Sequence, residues 1–236
     1  MVKATTVVCP HEYRTRRTRD VEREDPLRLV CFDMDGVLIH GGSSWVQVHR
    51  HFGVENDAAL ARFMAGEIDD EEFIRTDVAL WTRDGPVHRS VLDQVLSAPQ
   101  IMPGAGDTIA ALHDAGIKTA IVSGGLDHMA NRVAGLLGID EVHANGLHYD
   151  ADGHLTGEGI LRTPLRDKSA PLRAVAAKTG VPYGRIAAIG DSCPDASMFE
   201  SCGYGIAFNP ADPCVRHAAD VTVETTDLRD VLPHLL

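Results

Sequence analysis

Hydrophobic positions along the chain follow two periods, and the alternation between them sets the expected architecture. Continuous apolar runs at 29–32, 119–122 and 186–189, rich in Val, Ile, Leu and Ala, read as strands buried on both faces. Shorter runs at 204–208 and 221–223 read as further strands, and 140–145 as another. Between them apolar residues recur at helical spacing over 107–115, 126–137 and 169–178, with a short helix over 195–201. Gly116 stands as a helix stop, and Asn145-Gly146 with Asp152-Gly153 as turns bracketing a hairpin. Strands alternating with helices predict an α/β fold with a doubly wound, Rossmann-like parallel sheet.

One stretch breaks the alternation. From Ser44 to about Ala98 every apolar group (Trp45, Val48 and Phe52; Leu60 and Phe63; Phe73, Ile74 and Val78) repeats at helical spacing, with breaks at 53–56, Gly66 and 84–86. Three or four helices and no strand are expected there, as a small helical cap over 44–98 inserted after the first strand. Its place suggests a lid. The catalytic core is then 28–43 and 99–236. Residues 1–27, where Arg14, Arg16, Arg17, Arg19 and Arg23 mix with acids and few apolar residues, read as a flexible tail.

Chemistry gathers where the buried runs end. The first ends in Asp33-Met34-Asp35-Gly36, and two converging carboxylates need a cation or a proton between them. The second ends in Ser123-Gly124-Gly125, a hydroxyl and close backbone N–H groups at a helix start, which suit an anion. The third ends in Gly190-Asp191-Ser192. In a parallel sheet these tips share one edge, where such sheets hold ligands. Asp33, Asp35 and Asp191 then make an oxygen-rich cage suited to Mg²⁺. Lys168, ahead of a helix, adds a point charge for a phosphate. Carboxylates, a divalent cation, an anion nest and a lysine together describe phosphoryl transfer.

Composition narrows the partners. A formal charge of −12 over 236 residues leaves no basic excess for nucleic acid, while a small phosphate needs only a local cation or two. Five cysteines, an odd number with no C-x-x-C pair, argue against a disulfide framework or zinc site and for a reducing, cytoplasmic compartment. Cys193 reads as a small packing residue. No apolar run approaches the ~18 residues of a membrane span, and the N-terminus lacks a secretory signal's apolar region. The histidines lack metal-ligand patterning; His40 is retained as a leaving-group contact. Asp150-Ala151-Asp152-Gly153 is a hairpin turn, its glycine falling too early for a calcium loop.

The order Asp33-Met34-Asp35-Gly36-Val37, Ser123-Gly124-Gly125, Lys168 and Gly190-Asp191-Ser192-Cys193-Pro194-Asp195 resembles the haloacid dehalogenase superfamily, and within it the phosphoserine phosphatases. The likeness runs from about residue 28 to the end. It implies that Asp33 is a nucleophile forming an aspartyl-phosphate and that Asp35 is the acid and then the base. It implies Mg²⁺ held by Asp33, the main-chain carbonyl of Asp35 and Asp191, with Asp195 supporting the metal shell. Ser123, Gly124 and Lys168 would hold the phosphoryl oxygens, and Arg75 in the cap would bind a substrate carboxylate. Two departures stand out: no acid occurs in 39–44, where those enzymes carry a glutamate that reads an amino group, and Pro194 stands where Asn is usual. The resemblance thus implies a Mg²⁺-dependent phosphomonoesterase of a small phosphorylated metabolite, phosphoserine among the candidates. A phosphotransferase or mutase using the same aspartyl-phosphate is the alternative, as is a non-catalytic module that binds a phosphometabolite.

Overall fold

In the computed structural model, which describes residues 21–236, the three apolar runs are the central strands of one sheet. β1 (Leu29–Phe32) lies between β4 (Lys118–Leu126) and β7 (Ile186–Gly190) and is parallel to both, with Phe32 opposite Ile121 and Ile189. Outward from β4 come β5 (Glu141–Tyr149), parallel, and β6 (Leu155–Ile160), antiparallel. Outward from β7 come β8 (Tyr204–Phe208) and β9 (Val221–Val223), both parallel.

Alternation along the central strands divides the core in two. Val30, Phe32, Ile121 and Ile189 face one side, against α5 (Ala105–Asp114) and α6 (Asp127–Leu137) through Ile109, Leu112, Met129 and Val133. Leu29, Cys31, Val122 and Ala188 face the other, against α7 (Ser169–Thr179) and α8 (Ala196–Glu200) through Leu172, Val175, Met198 and Phe199. All eight strand residues are fully buried. Having both faces covered is why these runs carry no polar alternation, and it is the doubly wound arrangement.

After β1 the chain leaves the sheet through β2 (Ile39–His40) and returns through β3 (Gln100–Ile101), which pair antiparallel as a two-stranded neck. Between them lie four helices and no strand: α1 (Ser44–Phe52), α2 (Asp57–Met64), α3 (Asp70–Thr82) and α4 (Arg89–Val95). Their starts are locally encoded. Ser43 accepts the N–H of Val46, and Asp69 that of Glu72, satisfying first-turn donors that have no partner within the helix. Val48, Ile74, Val78, Trp81 and Leu92 join the α5/α6 core. Phe63, Ala59 and Ile68 form a separate small cluster that meets Leu165 of the core. Asp70 also accepts the N–H of Leu165 at 2.6 Å. The helical segment is therefore anchored by packing and by main-chain bonds.

Three expectations need revision. Most of the expected tail lies outside the described residues, but its last part is attached. Glu24 N–H donates to Gly184 O, Arg23 lies over the Tyr204 ring, and Leu27 is buried. Asn145-Gly146 is not a turn, because β5 runs straight through it and the hairpin turns only at 150–153. β4 continues past Val122 to Leu126, so the Ser123-Gly124-Gly125 segment is the end of a strand. A short α9 (Pro213–Ala218) connects β8 to β9.

Candidate active site

The carboxyl ends of β1, β4 and β7 open into a cavity of about 480 Å³. Its floor holds Asp33, Asp35, Ser123, Lys168 and Asp191; its walls include His40, Trp45, Met102, Leu165 and Pro194. Six of the eight expected site residues therefore meet here, once Gly124 is counted among the lining residues.

Asp33 follows β1 directly, 4 % exposed. Its Oδ1 accepts the Met34 N–H at 2.7 Å and faces Lys168 Nζ at 2.8 Å. Burial, then the Asp195 charge, pushes its pKa up to about 6 against the pull of Lys168. Asp35 lies inside a tight turn in which Met34 O accepts the N–H groups of Leu38 and Ile39. Burial, then the neighbouring Asp33, pushes Asp35 up to about 8, and its Oδ1 is buried with no hydrogen-bond partner. A buried oxygen without a donor favours the protonated acid. Both effects favour the protonated form of Asp35.

Gly36 is where the sequence had to choose glycine. Its φ is +81°, and a Cβ there would stand 2.1 Å from Asp191 Oδ2. This close approach brings Asp191, at the tip of β7, over the aspartate pair. Burial and the charges of Asp195 and Asp33 push Asp191 up to about 8. Carboxylate oxygens of Asp33, Asp191 and Asp195 lie within 4.8 Å of one another.

Asp195 is fully buried and saturated. Its Oδ1 accepts Lys168 Nζ at 2.6 Å, and its Oδ2 accepts the N–H groups of Asp191 and Ser192, each at 3.0 Å, and the Ser192 hydroxyl. With both oxygens occupied it holds the loop and the lysine in place rather than offering itself outward. Pro194 does not distort this loop: it sits in the first turn of a 3-10 helix over 193–195, where no N–H is needed. Lys168 is 3 % exposed; burial disfavours its charge, but Asp195 and Asp33 outweigh that and hold it firmly protonated.

The residues fit a divalent cation. The carboxyls of Asp33 and Asp191 converge with Asp195 fixed beside them, and burial with mutual repulsion raises the pKa values of Asp33 and Asp191, a strain that a cation would relieve.

Ser123 is buried at the end of β4 and its Oγ accepts the Gly125 N–H at 3.0 Å. The adjacent Gly124 O accepts both Trp45 Nε1 at 2.9 Å and Asn145 Nδ2 at 3.1 Å. Asn145 was read from the sequence only as part of a turn, and its bonding role was not. Its amide also donates to Thr163 O, and its Oδ1 accepts the N–H groups of Arg162 and Thr163. All its bonding capacity ties β4 to the loop that delivers Lys168. The available signal was a fully polar residue inside a strand, a position that asparagine otherwise avoids.

Arg75 is not among the cavity's lining residues. It is exposed on α3, with Nε 3.9 Å from Glu158 on β6 and donating to Glu71 O. His40, by contrast, lines the wall. Cys193, expected only to pack, is disulfide-bonded to Cys214, and the expectation against disulfides fails with it. Twenty-one positions separate the two in sequence, but adjacent strands β7 and β8 deliver them side by side. The expected reducing, cytoplasmic compartment loses that support. No helix among the described residues is long and apolar enough to cross a membrane.

A family model described as haloacid dehalogenase-like hydrolase matches residues 30–200. The chain belongs to the haloacid dehalogenase-like hydrolases. A phosphoserine phosphatase of Idiomarina loihiensis is 36% identical over 207 residues, covering 86% of this chain and 91% of its own length. One of Streptomyces coelicolor is 36% identical over 209 residues, and there this chain spans about half (49%) of the relative's length. A solved structure described as a phospho-aspartyl intermediate analogue of phosphoserine phosphatase superposes with a TM-score of 0.76 at 28% identity, covering 90% of this chain and 100% of that one. These relatives place the hydrolase among the phosphatases of its family.

Proposed function

We propose that this phosphatase hydrolyses a small organic phosphomonoester by way of an aspartyl-phosphate on Asp33, with Mg²⁺ as cofactor. The reading is carried by one juxtaposition: a buried carboxylate fixed by Lys168 stands beside a second carboxyl that keeps its proton. A carboxylate oxygen of Asp33 attacks phosphorus as the bond to the leaving alcohol breaks. The Asp35 proton goes to the departing oxygen. Asp35, now a carboxylate, takes a proton from the water that attacks the aspartyl-phosphate, and inorganic phosphate leaves. Lys168, the Ser123 hydroxyl and Gly124 hold the phosphoryl oxygens. Asp33, Asp191 and the Asp35 carbonyl would hold Mg²⁺, with Asp195 fixing their loop. Once bound, the ion offsets the charge that builds on the phosphoryl group.

The walls around the leaving group are His40, Ser43, Trp45, Met102, Leu165 and Pro194, none of them a carboxylate. The relatives named above act on phosphoserine, which is the first substrate to try beside sugar phosphates and phosphoglycolate.

Asp33→Asn should abolish release of p-nitrophenol from p-nitrophenyl phosphate, since an amide neither attacks phosphorus nor offsets the cation. Turnover near the wild-type rate would sink the mechanism. Wild-type turnover that survives EDTA would remove the metal from it. Transfer to an added sugar hydroxyl in place of phosphate release would make the enzyme a phosphotransferase.

A further inference from the structure

The Cys193–Cys214 bond joins two loops at the active edge of the sheet, with a Cα–Cα separation of 5.7 Å. Cys193 lies midway between Asp191 and Asp195, and Cys214 lies in the first turn of α9. Two hydrogen bonds stitch the same loops: Ala211 N–H donates to Asp191 O at 2.7 Å, and Cys193 N–H to Asp212 Oδ2 at 2.9 Å. Cys193 and Cys214 are only half-buried, whereas Cys31 and Cys202 are fully buried. A reagent in solution therefore meets the bonded pair first.

We propose that Cys193–Cys214 is a redox modification site, reduced by a dithiol, that sets how tightly the neighbouring carboxylates hold their cation. This rests on the Mg²⁺ phosphatase reading above. In the exchange a dithiol sulfur attacks one Sγ and the S–S bond breaks to a mixed disulfide. The second dithiol sulfur displaces the cysteine, leaving two protein thiols and an oxidised dithiol. Two electrons and two protons pass from the reagent to the pair. With the bond intact, the loop carrying Asp191 is covalently fixed to the start of α9. Without it, two hydrogen bonds remain, and the freedom the loop gains must be given up when a cation binds. Mg²⁺ affinity falls on reduction while the nucleophile Asp33, on another strand, stays in place.

The full chain is compared with and without dithiothreitol, by mass spectrometry of the 193 and 214 peptides, by calorimetric titration with Mg²⁺, and by its thermal unfolding. The expected result is a cross-linked peptide before treatment, two alkylated thiols after it, and a Mg²⁺ dissociation constant about fivefold or more higher in the reduced form, of the size usual for coupled sites. Reoxidation restores the tight form. The Cys193→Ser/Cys214→Ser double variant, checked for folding by its melting curve, binds as the reduced form does and ignores the reagent. Unlinked cysteines in the untreated protein, or a change smaller than fivefold, overturn the proposal. If neither form binds Mg²⁺, the metal reading itself fails, and the coupling with it.

Discussion

Replacing Gly36 by alanine tests whether close approach at the turn, rather than the acids alone, builds the cation site. The new Cβ would stand 2.1 Å from Asp191 Oδ2 and 2.7 Å from its Cγ, where ordinary contact begins near 3.4 Å, so the carboxylate must retreat by more than 1 Å. Misplacing a reacting or ligating group by about 1 Å costs on the order of 10²-fold in rate. The backbone adds a separate cost, since an L-residue at φ +81° sacrifices about 1–2 kcal/mol. Gly53 isolates that second cost: its φ is +61°, and nothing lies within 4 Å of a Cβ there. Gly53→Ala should lower the melting temperature by about 2–4 °C per kcal/mol at this size and leave the half-saturating Mg²⁺ concentration alone. Gly36→Ala should lose a similar or larger amount of stability and, in addition, about 10²-fold in kcat/KM with weaker Mg²⁺ dependence. The assay is Mg²⁺-titrated hydrolysis of p-nitrophenyl phosphate beside thermal unfolding of both variants. If Gly36→Ala stays within threefold of Gly53→Ala in both kinetic measures, Asp191 does not ligate the cation from the position described.

Two further outcomes are expected. Asp33, Asp35 and Asp191 have folded-state pKa values raised to about 6, 8 and 8 from 3.8, so protonation favours the folded state. Their contribution is complete below about pH 4 and is lost as pH rises through 6 to 8. The melting temperature of the metal-free protein should therefore fall between pH 5.5 and 8.5, with saturating Mg²⁺ removing most of the fall and Asp191→Asn flattening it; a rise with pH would refute the assignment. Lys168→Met should lower kcat by about 10²–10³-fold, the usual cost of a lost donor to transferring charge. It should also raise the inhibition constant of inorganic phosphate, and unchanged phosphate inhibition would show that the lysine serves only Asp33 and Asp195.

What could be read from the sequence was what local physics encodes. The strands around Phe32, Ile121 and Ile189 are buried on both faces, so their apolar continuity was unambiguous, and the chemistry follows each apolar run directly. The helices after β1 announced themselves through spacing, and in the structure Ser43 and Asp69 cap two of them. Where Arg75 points was not legible, because a helix face fixes a residue's direction only after the helix has docked. Here α3 docks against β6, and Glu158 takes the guanidinium. Asn145-Gly146 misled for the opposite reason. Its turn propensity is real, but the side chain's four hydrogen bonds within the core outweigh it and keep the strand extended.

The roles within the acid cluster follow the same division between local pattern and assembled environment. Four aspartates are alike in sequence, and spacing alone offers each of them to the metal. Assembly distinguishes them by what surrounds their oxygens. Asp195 is used up by Lys168 and three donors from its own loop, so it supports. Asp33 shares the same lysine but keeps its place at the strand tip, the position we propose for the nucleophile. Asp35 has an oxygen with no donor at all, which together with its burial favours the protonated form. Asp191 is held against a glycine that leaves it just enough room, close to Asp33, where we propose that it ligates the cation. A single lysine among four carboxylates forces this differentiation, because four equal charges in one buried site would repel one another beyond what the fold can hold.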